Sequence, residues 1–315
     1  MIVESPAPEL DVLARVPVTH HLVPRPWGDQ HVVTAGSPEA PPLLLVHGWP
    51  QHWLAWRHVI AELSTEAFVI APDLQGLGWS EPVRHRERDR PIDAMVSDLL
   101  AVLDHFEVRR AALAGHDWGG WIGFRAVLDH PDRFTALAAL AIMPPWLSAR
   151  SMIRHLAGWS YMIPMAAVGG QVARRPRLVA AMVRFSTSAN AWGHHDGRTA
   201  LASYTARVRR PSAAVTTRKL YRSFVFRDLW RSLGPRPPRL EVPATVIVGQ
   251  HETISIPDHW IRRTHPGEIE LEVLAGTRHW IPDEAPSATV SSIRRACLAR
   301  QRTGDVGGAG EDRRS

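Results

Sequence analysis

Short, almost wholly apolar runs alternate along this chain with longer stretches in which apolar residues return every three or four positions. Residues 42–47 (PLLLVH), 67–71 (AFVIA), 111–115 (AALAG), 135–142, 245–249 (TVIVG) and 269–274 are runs of the first kind and read as buried strands. Residues 53–63, 91–106, 121–129 and 287–300 are of the second kind, and Trp53, Trp56 and Ile60 share one helical face. Alternation of buried strands with helices predicts an α/β architecture, a mostly parallel sheet with helices on both faces. Such sheets place their sites at the carboxyl ends of the strands. The part before Pro42 reads only as extended. From Pro144-Pro145 to about residue 243 the alternation stops: helical segments, Gly169-Gly170 and a proline-rich exit at 234–238 replace it, and no buried strand is evident. The organisation predicted is a core in two parts, 1–143 and 244–301, interrupted by a mainly helical insertion over 144–243. The tail, 302–315, is too polar and glycine-rich to fold alone.

Composition changes this picture in one place. The chain has 315 residues, 45% of them apolar, enough for a large core. Its net charge of +6 hides an asymmetry. Residues 145–240 carry 16 arginines and Lys219 against only Asp196 and Asp228, whereas the remainder has 20 basic and 29 acidic side chains. A basic insertion above a site would draw anionic lipid surfaces or carboxylate-bearing substrates. No recognisable reading motif for nucleic acid accompanies it. Cys297 is the only cysteine, which excludes an intramolecular disulfide and cysteine-rich metal sites. No leader pattern opens the chain and no apolar run approaches the ~20 residues of a membrane span, so a cytoplasmic location is expected.

The chemistry concentrates at Gly115-His116-Asp117-Trp118-Gly119, a G-x-D-x-G string between a strand and a helix. Glycines at both ends let backbone segments pass closely while the middle side chain is thrust into the site. A carboxylate there displaces at saturated carbon and becomes an alkyl ester, so the substrates expected are epoxides or alkyl halides. Hydrolysis of that ester needs a base, and His279 follows the last strand, after the nucleophile and a carboxylate in chain order. Glu252, three residues past Gly249, is the acid expected to orient it; the alternative position after the 135–142 strand offers no carboxylate. Backbone N–H groups of Trp118 and Trp49 are the candidate oxyanion donors. Trp49-Pro50 is a candidate cis peptide. His47, Pro50, Trp118 and Trp280 are the expected pocket-lining residues.

The strings HGWP, PDLQGLGWS, GHDWGG and GTRHWIPDEAP, spread over about residues 32–297, resemble the α/β-hydrolase-fold epoxide hydrolases, relatives of the haloalkane dehalogenases. The resemblance implies a helical cap over the site and two cap tyrosines that protonate the epoxide oxygen. Of the three tyrosines, Tyr221 (followed by Arg222) and Tyr161 resemble that pair, with Tyr204 in reserve. It further implies a small apolar epoxide as substrate, a vicinal diol as product, and neither metal nor organic cofactor. Two departures stand out: the family's acid is commonly Asp, and Gln51 stands where Glu frequently follows HGxP. A haloalkane dehalogenase using the same Asp-His-acid set, with Trp118 as halide ligand, is the alternative; a non-catalytic ligand-binding protein is the third. Oligomeric state is left open by the sequence.

Overall fold

The computed structural model describes residues 1–26, 28–82, 91–146, 159–188, 191–232, 239–252 and 269–299. The tail at 302–315, the proline-rich exit at 234–238 and the last residue of the final predicted helix lie outside them. One sheet of nine strands organises the described residues, in the order β1-β2-β3-β5-β4-β6-β7-β8-β9. These are β1 (Ile2–Val3), β2 (Thr19–Val23), β3 (Gln30–Ala35), β4 (Pro42–Val46), β5 (Phe68–Pro72), β6 (Ala111–His116), β7 (Phe134–Leu140), β8 (Ala244–Gly249) and β9 (Ile269–Leu274). From β5 to β9 all pairings are parallel. The parallel centre is covered on both faces, which is why β5, β6 and β8 are buried at every position.

The helices are α1 (Pro8–Asp11), α2 (Arg57–Leu63), α3 (Pro91–His105), α4 (Trp118–Asp129), α5 (Met162–Ala173), α6 (Pro176–Phe185), α7 (His195–Val208), α8 (Pro211–Ser223), α9 (Leu229–Arg231), α10 (Ile281–Glu284) and α11 (Pro286–Ile293). Small residues on β6 admit α4 at close range: a Cβ on Gly123 of α4 would lie 2.7 Å from Leu113. The final predicted helix is α11 followed by a π-helical turn, Arg294–Leu298.

The amino-terminal part differs from its reading as merely extended. It forms an antiparallel edge, β1-β2-β3, joined to β5. Its buried histidines are paired across strands. His20 Nδ1 and His31 Nε2 lie 2.9 Å apart, His31 Nδ1–H donates to Asp73 Oδ2 (2.8 Å), and His21 Nε2 pairs with Thr34 Oγ1 (2.9 Å).

Between β7 and β8 every regular element among the described residues is helical, α5 to α9 with a π-helical turn at Phe224–Asp228. The pair Gly169-Gly170 lets α5 and α8 pack closely, since a Cβ on Gly170 would meet the Ala214 carbonyl oxygen at 2.9 Å. Polar clasps tie the insertion to the core. Arg207 donates to the Gly78 carbonyl through Nε (3.1 Å) and Nη2 (2.7 Å), and Arg210 Nη1 adds a third bond at 3.1 Å. His52 Nε2 pairs with Ser203 Oγ at 2.8 Å, and the Trp280 indole donates to Ser186 Oγ at 2.8 Å.

Candidate active site

Asp117 follows β6 at φ +52°, a left-handed conformation that strains a non-glycine residue. Its surroundings leave no room for side chains. A Cβ on Gly119 would lie 2.0 Å from the Val46 carbonyl oxygen, and one on Gly48 would lie 2.5 Å from the Asp117 Cβ. The strained turn is held by its own backbone: Asp117 N–H donates to Leu140 O (3.0 Å), and Asp117 O accepts from Gly120 and Trp121 (3.0 and 3.1 Å). Carboxylate Oδ2 accepts the Trp49 N–H at 2.9 Å, and the Trp118 N–H, at the start of α4, also serves the carboxylate. Burial pushes the Asp117 carboxyl above the usual carboxylate range, against the pull of His279 and these two N–H groups.

His279 and Glu252 arrive from the ends of β9 and β8. His279 Nδ1–H donates to Glu252 Oε2 at 2.9 Å, which orients the ring and turns Nε2 toward Asp117 Oδ1, 3.7 Å away. Burial would lower the imidazole pKa. The charge and hydrogen bond of Glu252, with the charge of Asp117, outweigh it and hold the group at about 9.

From the insertion, α8 brings Tyr221 and the start of α5 brings Tyr161. Their ring centroids are 6.2 Å apart and their hydroxyls lie within hydrogen-bonding reach of each other. Tyr221 stands edge-on to Trp118 (5.2 Å) and Trp49 (5.9 Å). Burial raises the pKa of both phenols, and the Asp117 charge raises both further, so both sit in the field of that carboxylate. Tyr204 is elsewhere: fully buried, with His52 and Trp192 against its ring and the Arg57–Asp283 pair as its charged neighbours.

The structure thus brings together Asp117, His279, Glu252, Trp49, Trp118, Tyr161 and Tyr221. Trp49-Pro50 is a cis peptide. Trp280 packs against His279 and reaches the insertion through its indole. His47, expected in the pocket lining, is wholly buried. Its Nδ1–H donates to Gly48 O (2.8 Å) and its Nε2 accepts the Leu74 N–H (2.9 Å), so it braces two loops. A buried polar chain behind the site was not anticipated. His116 Nε2–H donates to the His279 carbonyl (2.8 Å) and Nδ1 faces Gln51 Oε1 (2.8 Å). Gln51 Nε2 reaches Asp283 Oδ2 (3.4 Å), and Arg57 Nη1 donates to Asp283 Oδ1 (2.6 Å). The signal was present in the sequence: His116 is the one polar residue of an apolar strand, and Asp283 follows His279 by four positions. Among the described residues no cluster of side chains could hold a metal ion, and no helix is long and apolar enough to cross a membrane.

Residues 41–286 match the α/β hydrolase fold family, and the chain belongs to it. It is similar to the soluble epoxide hydrolase of Corynebacterium sp. (strain C12), 28% identical over 293 residues, covering 87% of this chain and 96% of that one. A shorter match, 38% identical over 128 residues, covers 38% of this chain and 39% of epoxide hydrolase A of Mycobacterium tuberculosis. Among solved structures, epoxide hydrolase CorEH superposes with a TM-score of 0.70 at 24% identity, over 89% of this chain and 98% of that chain. The 2-hydroxy-6-oxo-6-phenylhexa-2,4-dienoate hydrolase of Rhodococcus sp. strain RHA1 gives 0.72 at 20% identity, over 89% and 99%. These two likenesses speak to the fold.

Proposed function

We propose that the protein is an epoxide hydrolase acting through an alkyl ester of Asp117, with residues 144–243 as its cap. The observation that carries this reading is a carboxylate at the elbow facing two cap phenols across one site. Oδ2 is engaged by the Trp49 N–H, so Oδ1 is the attacking atom. It bonds to an epoxide carbon as the C–O bond breaks, and the released electron pair takes a proton from Tyr161 or Tyr221. The ester then needs water. His279 removes a proton from it through Nε2, and the hydroxide adds to the Asp117 carbonyl carbon. The resulting oxyanion forms on Oδ2, already beside the Trp49 and Trp118 N–H groups. Collapse breaks the ester C–O bond, releases a vicinal diol and returns the proton held on His279 to the diol oxygen; the Asp117 carboxyl, left protonated by the added hydroxide, gives up its proton to solvent, and the phenol deprotonated in ring opening is reprotonated from solvent.

The pKa of His279 gives this cycle an order. In the free enzyme Asp117 helps to keep the imidazole protonated to about pH 9. Alkylation removes that negative charge, so the pKa falls at the step when a neutral base is needed. Single-turnover ester hydrolysis is expected to rise with pH and to level off below pH 9. A plateau reached only above pH 9 would contradict the scheme.

The dehalogenase alternative needs free indole N–H groups for halide. The Trp49 indole donates to Thr217 Oγ1 at 2.8 Å, and the Trp118 indole lies within hydrogen-bonding reach of the Tyr221 hydroxyl. The Trp49 indole is therefore committed to a cap hydroxyl, which favours the epoxide reading. The excess of arginine over acid in the cap also fits an anionic lipid surface as a partner. The test of the chemistry is His279→Gln with styrene oxide, followed by intact-mass analysis. The expected result is an adduct of one epoxide mapping to Asp117, absent in Asp117→Asn. Undiminished diol release by His279→Gln, or bromide release from a bromoalkane without diol from the epoxide, would overturn the assignment.

A further inference from the structure

The outer face of the cap presents a surface unlike the rest of the described molecule. Exposed positions along α8 and the turn after it fall three or four apart: Val215, Arg218, Arg222, Phe226 and Trp230. The inner face of the same helix carries Thr217 and Tyr221 toward the site. Apolar members of this stripe are openly exposed, Phe226 at 65% and Trp230 at 60%, and Arg222 lies over the Phe226 ring at 5.4 Å. Beside it, α5 exposes Ile163 and Val168. Where the two helices meet, Arg174 and Arg218 flank an open groove of about 200 Å³ with Gly170, Gln171, Ala214 and Val215.

Charge decides what covers this face. Residues 159–188 and 191–232 hold twelve arginines and one lysine against Asp196 and Asp228. Both acids are already taken, Asp196 by Arg15 (2.8 Å) and Asp228 by Arg227 (3.2 Å). Among the described residues Arg174, Arg218 and Arg222 have no carboxylate partner. A second copy of the same face would meet it with like charge. Nucleic acid would answer the charge and leave Phe226, Trp230 and Ile163 in water. A bilayer with anionic lipids answers both: phosphates to guanidinium groups, side chains into the acyl boundary.

We propose that this face docks on an anionic phospholipid bilayer, with a headgroup phosphate between Arg174 and Arg218 and with Val215, Phe226 and Trp230 entering the interface. The docking rests on the surface alone; only its use, capture of apolar epoxides dissolved in the membrane, rests on the proposed chemistry. The test is co-sedimentation of the full chain with phosphatidylcholine vesicles, with and without ~30 mol% phosphatidylglycerol. Binding is expected to the anionic vesicles, to weaken with salt, and to fall by roughly thirtyfold in Arg174→Gln/Arg218→Gln, at about a kcal/mol for each of the two lost charges. Phe226→Ser is expected to weaken it independently, with melting temperature unchanged in both variants. Equal partition onto neutral and anionic vesicles, or unchanged binding by both variants, would overturn the proposal. So would a concentration-dependent dimer in the absence of lipid that Phe226→Ser dissolves, which would assign the face to a second copy. Vesicle binding needs no turnover, so failure of the surface and failure of the chemistry are read separately.

Discussion

The core and the insertion supply the site in different ways. The core fixes Asp117, Glu252 and His279 by backbone: strand ends, a left-handed residue, and glycines where any Cβ would collide with a neighbouring chain segment. The insertion supplies Tyr161 and Tyr221 by side chain alone, from helices fastened to the core through polar clasps. The difference teaches where change is tolerated. A scaffold built from backbone contacts admits one geometry, whereas a helix held by side chains can move its residues by small amounts and retune a pocket.

Substitutions can break this division step by step. The largest effect is expected in the core, where Glu252→Gln should slow ester hydrolysis by about 10³–10⁴-fold, as loss of an orienting carboxylate does in hydrolytic triads. Rapid-quench kinetics should show epoxide opening still fast and ester accumulating; loss of both steps together would contradict the assigned role. In the insertion, Tyr221→Phe should lower the opening step by about 10²-fold, the scale of a lost general acid, and leave hydrolysis of preformed ester intact. A variant slowed equally in both steps would place Tyr221 outside ring opening. Behind the site, His116→Asn removes the donor to the His279 carbonyl and should cost about tenfold in ester hydrolysis, the worth of one buried hydrogen bond. The smallest effect is expected at the seam. Thr217→Val deletes the acceptor of the Trp49 indole and should lower stability by about 1 kcal/mol, read by urea unfolding.

Acid should probe the core in a different way. Burial lowers the pKa of His21 and His58 to about 4 and of His52 to about 3, so these rings fold neutral. A folded pKa below the unfolded value of 6.5 gives stability that is fully present above pH 6.5 and is lost as pH falls toward 4. Melting temperatures should therefore drop between pH 7 and pH 5. A flat profile would mean that these rings are not buried neutral.

Much of this architecture is legible in the sequence because the parallel centre is apolar without interruption. PLLLVH, AFVIA and TVIVG could be strands on pattern alone, and the glycines of GHDWGG marked the elbow. The amino-terminal edge was not legible for the opposite physical reason. In β2 and β3, His20, His21 and His31 are buried yet polar, and they are paired across strands, His20 with His31, His21 with Thr34 and His31 with Asp73, in a way no hydropathy pattern records. Glu252 and His279 could be placed by chain order, since each closes a strand. The chain Arg57–Asp283–Gln51–His116 could not, because its members are up to 232 positions apart and acquire meaning only when β4, β6 and α10 meet.

The solitary cysteine offers a consequence of a practical kind. Cys297 is fully buried in the π-helical turn after α11, where its thiol faces the Leu113 carbonyl of the elbow strand at 3.7 Å. A thiol-reactive dye can reach it only when the last helix lifts from β6. Labelling at a single position, timed against dye concentration, therefore turns the native chain into a clock for its own opening. Slowing of that clock by a bound epoxide diol would register ligand occupancy at the elbow without any assay of turnover.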